Sequence, residues 1–368
     1  MPKSRASDFL YVVGQLGAGG LERQLYLLLR AMDKNYYRPA VVVWNFSEGD
    51  VYVSKIRALT IPVYSFSWTM SRIAKLFALR RLVKQLKPLV VHSYTFYTNL
   101  VAWLGTIGTN AIPIGAVRSD FEWAKNGNGH VLGNLSARWP RTQIFNSIAS
   151  ACQAQNSRSA FVPQNCFVVR NGLDLEQFPA TPPPPNGRSR ILGVGSLISV
   201  KRWDRALLAA CQLKSRGADF LLQIAGEGPL RQQLEQQAQN LGIGDRVEFL
   251  GYTEDIANLL AEASFLMHTS ESEGCPNVVM EAMACGRPVI ATDVGDISRL
   301  IDDGKTGFVV RAGDEATLVT RIVTLLSNSE LRRRMGEASQ AKAKQEFGLD
   351  RLVTETLAIY EAAGWKKW

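Results

Sequence analysis

Ser270-Glu-Ser-Glu-Gly-Cys-Pro-Asn-Val-Val-Met-Glu-Ala-Met-Ala-Cys-Gly-Arg-Pro-Val-Ile-Ala-Thr-Asp293 follows one short apolar run, Phe265–Thr269, and closes on a second, Val289–Thr292. Pro276 and Asn277 predict the start of a helix between them, because proline is accommodated in a first helical turn. Strand, helix and strand in this order imply a parallel sheet with helices packed on it. Glu273 falls in the loop after the first strand and Glu281 about one turn into the helix, seven residues apart. A helix N-terminus presents free N–H groups and positive dipole to an anion. The segment from Gly274 through Cys275, Pro276 and Asn277 to Val278, with a backbone N–H on every residue but the proline, would thus face a diphosphate, while the two glutamates accept hydrogen bonds from sugar hydroxyls. A capped surface helix with two solvated acids is the bland alternative, although E-G-x-P at a helix start is unusual.

The same alternation runs outward in both directions. Before residue 178 it predicts strands at Phe9–Val13, Ala40–Trp44, Val63–Phe66, Leu89–His92, Ile112–Ala116, Thr142–Phe145 and Cys166–Val169. After residue 187 it predicts Ile191–Gly195, Phe220–Ala225, Val247–Leu250, Phe265–Thr269, Val289–Thr292 and Phe308–Val310, then helices Asp314–Ser327, Glu330–Glu346 and Leu349–Ala363. Between the two sets lies Phe178-Pro-Ala-Thr-Pro-Pro-Pro-Pro-Asn-Gly187, a cluster that can neither join a sheet nor continue a helix. The expected organisation is an N-terminal α/β domain over 1–178, a linker over 179–187, a C-terminal α/β domain over 188–348 and a final segment over 349–368.

The chain's 368 residues suit two such cores. Five scattered cysteines show neither C-x-x-C nor Cys/His spacing, so no disulfide framework or metal site is expected. Phe9–Val13 faintly imitates a signal peptide, but Gly14 and Gly17 interrupt it and it reads as a strand. No apolar run approaches the ~18 residues of a membrane span, and a cytoplasmic location is expected. Charge is uneven: up to residue 165 there are 19 Lys+Arg and 7 Asp+Glu, against 23 and 26 thereafter. A basic first half suits phosphate-bearing ligands or a peripheral contact with the inner face of an anionic membrane, with generic solubility as the alternative. The segment Met70–Lys87 sets Ile73, Leu76, Phe77, Leu79, Leu82, Val83 and Leu86 at helical spacing opposite Arg72, Lys75, Arg80, Arg81, Lys84 and Lys87. Its apolar stripe is expected to pack on the sheet, leaving the basic face for headgroups or water.

Two glycine-rich turns follow first strands: Gly14-Gln-Leu-Gly-Ala-Gly-Gly-Leu-Glu22 and Gly193-Val-Gly-Ser-Leu-Ile-Ser-Val-Lys201. Both let backbone approach a phosphate. Neither fits G-x-G-x-x-G, because Glu22 and Ile198 occupy the third position, and Asn45 stands where an adenosine ribose would want an acid. A nicotinamide dehydrogenase is disfavoured.

At these residues the chain resembles the large retaining glycosyltransferase family with the GT-B fold, of the group 1 or family 4 type, which includes relatives of sucrose and glycogen synthases. The resemblance is carried in order by Gly19-Gly-Leu-Glu22, Pro88-Leu-Val-Val-His92, Arg170-Asn-Gly-Leu-Asp174, Val194-Gly-Ser196 with Lys201, Gly226-Glu-Gly-Pro-Leu230, Val247-Glu-Phe-Leu-Gly251, the E-x7-E segment and Gly304-Lys-Thr-Gly307. It implies two Rossmann-like doubly wound domains facing a central cleft that closes on binding, the N-terminal one taking the acceptor and the C-terminal one the nucleotide-sugar, with the last helix crossing back to the first domain.

By resemblance, Glu281 holds the donor ribose, Glu273 the distal hydroxyls of the sugar, and Lys201 the leaving diphosphate. Gly195, Ser196, Gly226, Leu250 and Gly251 complete the donor side, the last two meeting the base. Gly19 and Gly20 close on phosphates and acceptor, and His92 belongs to the catalytic set. The sequence departs from the family at Ser196, where many relatives have an arginine, so that the phosphate clamp is either thinner or completed by Arg202 or another arginine. It departs also at Tyr94, in place of the second histidine of His-x-His, and at Gly295-Asp296 in place of Gly-Gly. His92 is therefore either catalytic or structural, and Arg118 either an acceptor or phosphate contact or an ion-pair member. The implied reaction moves a hexose or N-acetylhexosamine from a nucleotide-sugar, UDP by default, to a carbohydrate or lipid-linked acceptor. It retains configuration and needs no metal or cofactor. Two rivals remain: a UDP-sugar epimerase of the same architecture, and a non-catalytic basic module for membrane or nucleic acid. Nucleic acid is not expected, because the basic residues are spread over helices without an aromatic platform.

Overall fold

The computed structural model describes residues 7–182 and 188–366, so the second half of the proline cluster lies outside the described residues. The chain forms two compact units, one reaching to Gly172 and resuming at Leu349, the other spanning Leu173–Gly348.

The first unit holds a parallel sheet of β1 (Phe9–Val13), β2 (Pro39–Val43), β3 (Val63–Ser65), β4 (Val90–Ser93), β5 (Ile112–Val117), β6 (Thr142–Phe145) and β7 (Asn165–Val168) in the order β3-β2-β1-β4-β5-β6-β7. Side chains alternate across a strand, so β1 divides its residues between two apolar layers. Phe9, Tyr11 and Val13 pack with Leu25, Leu28, Leu352 and Tyr360, and Leu10 and Val12 with Leu79, Val83 and Leu86. All five β1 residues are fully buried, as expected where helices cover both faces. The helix Leu349–Ala362 belongs to this unit through Leu352, Ile359 and Tyr360.

The second unit holds β8 (Ser189–Val194), β9 (Phe220–Ala225), β10 (Val247–Gly251), β11 (Phe265–His268), β12 (Val289–Thr292) and β13 (Gly307–Val310) in the order β10-β9-β8-β11-β12-β13. Helix Asn277–Ala284 sets Val279, Met280, Ala282 and Met283 against Leu266, Val289 and Ala291. In each unit the strand order reverses beside the first strand, between β1 and β4 and between β8 and β11. Loops at the carboxyl ends of such strands frame ligand sites in doubly wound sheets.

Two expectations are corrected. The units divide at Gly172/Leu173 and not after Phe178, because Leu173 and Phe178 are buried with Leu266 and Met283 in the second unit's core. Chain continuing to Pro182 is also held there: buried Arg287 donates to the carbonyl oxygens of Pro182 (2.9 Å), Ala261 (2.8 Å) and Leu260 (2.8 Å). In the helix Arg72–Leu86 the stripe does not pack as a whole. Ile73 and Phe77 are 70% and 67% exposed, whereas Lys75 is buried. Lys75 Nζ donates to the Trp44 carbonyl just beyond β2 (2.7 Å) and lies near the Trp44 and Trp68 rings, so that the face bearing Lys75 is the inward one in the first turns of the helix.

Candidate active site

In the second unit the loops after β8 and β11 are tied together by backbone before any side chain is considered. Glu271 N donates to Val200 O (2.8 Å), and Thr269 Oγ1 to Lys201 O (3.1 Å). This brings Lys201 Nζ to 2.6 Å from Glu273 Oε1. The same carboxylate oxygen lies 3.2 Å from His268 Nε2, which is also 3.3 Å from Ser270 Oγ. Burial alone would raise the Glu273 carboxyl, but the hydrogen bond and charge of His268, with those of Lys201, hold it well below the usual carboxylate range. The site therefore keeps a buried carboxylate ionised beside an ammonium.

Three more loops close on this pair, and glycine makes their approach possible. Gly226 N donates to Gly251 O (2.8 Å) and Gly195 N to Ala225 O (2.9 Å), so Gly195, Gly226 and Gly251 stand together at the ends of β8, β9 and β10. A β-carbon on Gly226 would come within 2.0 Å of Gly195 O, at a φ of +149°. Ser196 O accepts from the indole of Trp203 (3.0 Å), and Leu250 is half-buried beside Gly251. Opposite, Asp296 N donates to Gly274 O (3.0 Å), and a β-carbon on Gly295 would lie 2.4 Å from Glu273 O. Helix Asn277–Ala284 begins after Pro276, with Cys275 buried, Val278 half-buried and Glu281 only 2% exposed.

Arg202 is placed differently from its expected role in a phosphate clamp. Its guanidinium donates to both oxygens of Asp204 (2.9 and 2.8 Å) and lies 3.5 Å from Glu271 Oε2. Its own backbone is left-handed, at a φ of +51°. His268 is a site residue that the sequence reading missed. Its place as the last residue of β11, where the strand order reverses, was the signal available.

The first unit gathers a second set of groups at the ends of β1, β4, β5 and β6. Gly19 precedes helix Gly20–Ala31, and a β-carbon there would meet Glu22 Oε2 at 2.1 Å. Glu22 is buried, which raises its carboxyl pKa. Gly14 N donates to Thr95 Oγ1 (3.0 Å), and a β-carbon on Gly14 would strike the Tyr97 hydroxyl.

His92 is fully buried, with Nδ1 2.7 Å from Tyr360 Oη. Tyr360 donates its hydroxyl hydrogen to Tyr11 Oη (3.2 Å). Its oxygen is thereby assigned to accept Nδ1–H, leaving the lone pair on Nε2, which has no hydrogen-bond partner among the described residues. Burial, and secondarily the charge of Arg118, push the His92 pKa well below its ordinary value, so the ring is neutral. The Arg118 guanidinium lies over the Tyr94 ring, 4.1 Å from its centroid. Among the described residues no group of His, Cys, Asp and Glu is arranged to hold a metal, and no helix is long and apolar enough to cross a membrane.

Residues 175–342 match the family described as Glycosyl transferases group 1. The N-acetyl-alpha-D-glucosaminyl L-malate synthase of Bacillus anthracis is 34% identical over 170 residues, covering 46% of this chain and 44% of that protein. The chain's match spans less than half the length of the curated relatives it resembles first. A similarity at 25% identity runs over 95% of this chain and 97% of the Campylobacter jejuni GalNAc-alpha-(1->4)-GalNAc-alpha-(1->3)-diNAcBac-PP-undecaprenol alpha-1,4-N-acetyl-D-galactosaminyltransferase. Among solved structures, Anabaena Alr3699/HepE in complex with UDP-glucose matches at a TM-score of 0.81 with 20% identity, covering 97% of this chain and 100% of that one. Sucrose-phosphate synthase from Thermosynechococcus elongatus matches at 0.78 with 17% identity, covering 96% and 98%. The fold is GT-B.

Proposed function

We propose that this chain, whose residues 175–342 match the Glycosyl transferases group 1 family, is a retaining glycosyltransferase. It moves a hexose or N-acetylhexosamine from a UDP-sugar to a carbohydrate or lipid-linked hydroxyl in surface glycan assembly, without a metal. The observation that carries this reading is the Lys201–Glu273 pair where the second unit's strand order reverses. As the glycosidic bond to the diphosphate breaks, negative charge grows on the phosphate oxygens and must be met by donors already in place. Lys201 supplies an ammonium there, and the N-terminus of helix Asn277–Ala284 supplies N–H groups. A bound diphosphate takes Glu273's place beside Lys201, leaving the carboxylate to accept hydroxyl hydrogens from the sugar, while Glu281 takes the ribose. The departing phosphate collects the acceptor's proton on the same face. The UDP-glucose bound by Anabaena Alr3699/HepE and the undecaprenol-linked glycan named for the Campylobacter jejuni relative support these choices of donor and acceptor class.

The test is UDP release from UDP-glucose, UDP-N-acetylglucosamine and UDP-N-acetylgalactosamine, each with and without undecaprenyl-diphosphate-linked and free sugar acceptors. Acceptor-dependent release with the anomeric configuration kept supports the proposal. Interconversion of UDP-N-acetylglucosamine without acceptor establishes the epimerase instead.

A peripheral contact with anionic lipid belongs to the same reading. Trp68, Ile73 and Phe77 are each more than 60% exposed beside Arg72, Arg81 and Lys84, an apolar and basic surface of the kind that lies at a bilayer interface. Co-sedimentation with phosphatidylglycerol vesicles, weaker on neutral vesicles and lost in a Trp68→Ser, Ile73→Ser, Phe77→Ser variant, is the expected result. Equal binding by that variant refutes the contact.

A further inference from the structure

We propose that the first unit carries an oxyanion subsite centred on Arg118, and hence that the acceptor hydroxyl compound bears a phosphate or carboxylate group. The proposal rests on the reading of the first unit as the acceptor side and adds the chemical class that this side selects.

Four residues from three neighbouring strand ends contribute. Arg118 follows β5, and its Nε and Nη1 are buried without a hydrogen-bond partner. Tyr94, just beyond β4, is fully buried under the guanidinium with its hydroxyl unpaired. His92, inside β4, has its ring 5.3 Å from that of Tyr94 and its Nε2 unpaired. Asn146, just beyond β6 and 4% exposed, donates to Arg118 O (3.2 Å) and leaves Oδ1 unpaired.

Unpaired buried polar atoms are rare, because each forfeits its hydration without compensation. Here the guanidinium and the Tyr94 ring lie together, with the His92 ring beside Tyr94 and Asn146 bonded to the Arg118 carbonyl, and the unpaired acceptors Asn146 Oδ1 and His92 Nε2 suit hydroxyl hydrogens. A half-buried arginine with two of its three guanidinium nitrogens cut off from water calls for an anion, and its planar set of donors suits phosphate and carboxylate oxygens. The nearest acid in sequence, Asp120, does not serve. Its carboxylate caps the next helix at Trp123 N (2.9 Å) and accepts from Gln153 (2.6 Å). Tyr94 Oη can add a hydrogen bond to the same anion. The neutral His92, with its lone pair on Nε2, accepts from a hydroxyl rather than from the anion, so the arrangement fits a ligand that carries both.

The experiment uses the full chain saturated with UDP, so that the donor side is filled, titrated with inorganic phosphate and separately with acetate by calorimetry. A saturable site for at least one of them, weakened at least tenfold in Arg118→Met and in Tyr94→Phe but not in the surface variant Arg57→Gln, is the expected result. No saturable binding by the wild-type protein, or equal binding by wild type and Arg118→Met, overturns the proposal. Should Arg118→Met not fold, Tyr94→Phe decides alone, because it removes one hydroxyl and keeps the ring: unchanged binding refutes the subsite. Failure of UDP itself to bind counts against the donor reading and is scored separately, by the UDP-induced rise in melting temperature.

Discussion

Lys201 Nζ sits 2.6 Å from Glu273 Oε1, and the two meet because β8 and β11 are neighbours at the centre of their sheet. The pair defines what each residue does when the other is removed. Lys201→Ala withdraws the only amine among the groups described at this site. The expected cost is about 2 to 4 kcal/mol of transition-state stabilisation, a fall in kcat/KM of about thirtyfold to a thousandfold. Steady-state kinetics with a UDP-sugar check it, and unchanged turnover removes Lys201 from the reaction.

Glu273 gives a second outcome in stability. Its pKa in the folded protein is depressed, so the unfolded chain binds more protons as the medium is acidified. The stabilisation is complete above the ordinary glutamate value of 4.5 and is lost as the pH falls below it. Glu273→Gln should therefore be less stable than wild type at neutral pH, by about 2 kcal/mol for a lost charged hydrogen bond. The gap should narrow at pH 3.5. Chemical denaturation at both pH values measures it, and a gap of equal size at both rules out a pKa held low by Lys201 and His268.

Much of this was legible in the sequence, for physical reasons that can be named. Strands covered on both faces read as largely apolar runs, and so Phe9–Val13 and Val289–Thr292 coincide with their predicted bounds, as do Thr142–Phe145 and Phe220–Ala225 in spite of Gln143 and Gln223. Glu273 is marked by the loop between a strand and a helix, and Lys201 by the family resemblance. What escaped were relations set by long-range contact. The burial of Lys75 depends on a carbonyl 31 residues away, and so does the exposure of Ile73 and Phe77 that follows from it. The engagement of Arg202 by Asp204, two residues on, depends on a left-handed backbone at Arg202 that no glycine or asparagine announces. His268 looked like any strand-end histidine until the loop folded Glu273 back onto it.

Gly226 offers a test of the loop cluster apart from any charge. In Gly226→Ala the new methyl would lie 2.0 Å from Gly195 O and no flexible side chain could move aside, since the obstacle is backbone. The loops must part, at a cost of about 1 to 3 kcal/mol in stability. UDP should then raise the melting temperature less than in the wild-type protein. Gly217→Ala is the control: its φ of +74° is also strained for alanine, but nothing lies within 4 Å of the added carbon. It should lose stability and keep the full UDP response. A full UDP response in Gly226→Ala would detach the glycine cluster from nucleotide binding.

The His92–Tyr360–Tyr11 chain makes the sharpest claim about pH. A histidine that titrated near its ordinary value of 6.5 would put an inflection into the rate between pH 6 and 8. Burial and the charge of Arg118 hold His92 neutral through that range, so its Nε2 lone pair is available throughout and no inflection from it is expected. For stability the sign is that of a depressed group: the contribution is present above 6.5 and is lost as the pH falls, because only the unfolded chain takes up the proton. Tyr360→Phe removes the oxygen to which Nδ1–H is donated and frees the other tautomer, which carries its hydrogen on Nε2. If that lone pair holds an acceptor hydroxyl other than the attacking one, whose proton goes to the departing phosphate, kcat should fall about tenfold to a hundredfold, as for the loss of one positioning hydrogen bond. KM for the UDP-sugar should stay unchanged. A purely structural Tyr360 would instead lower stability and leave kcat of the folded fraction intact, and measuring both on one preparation separates the two roles.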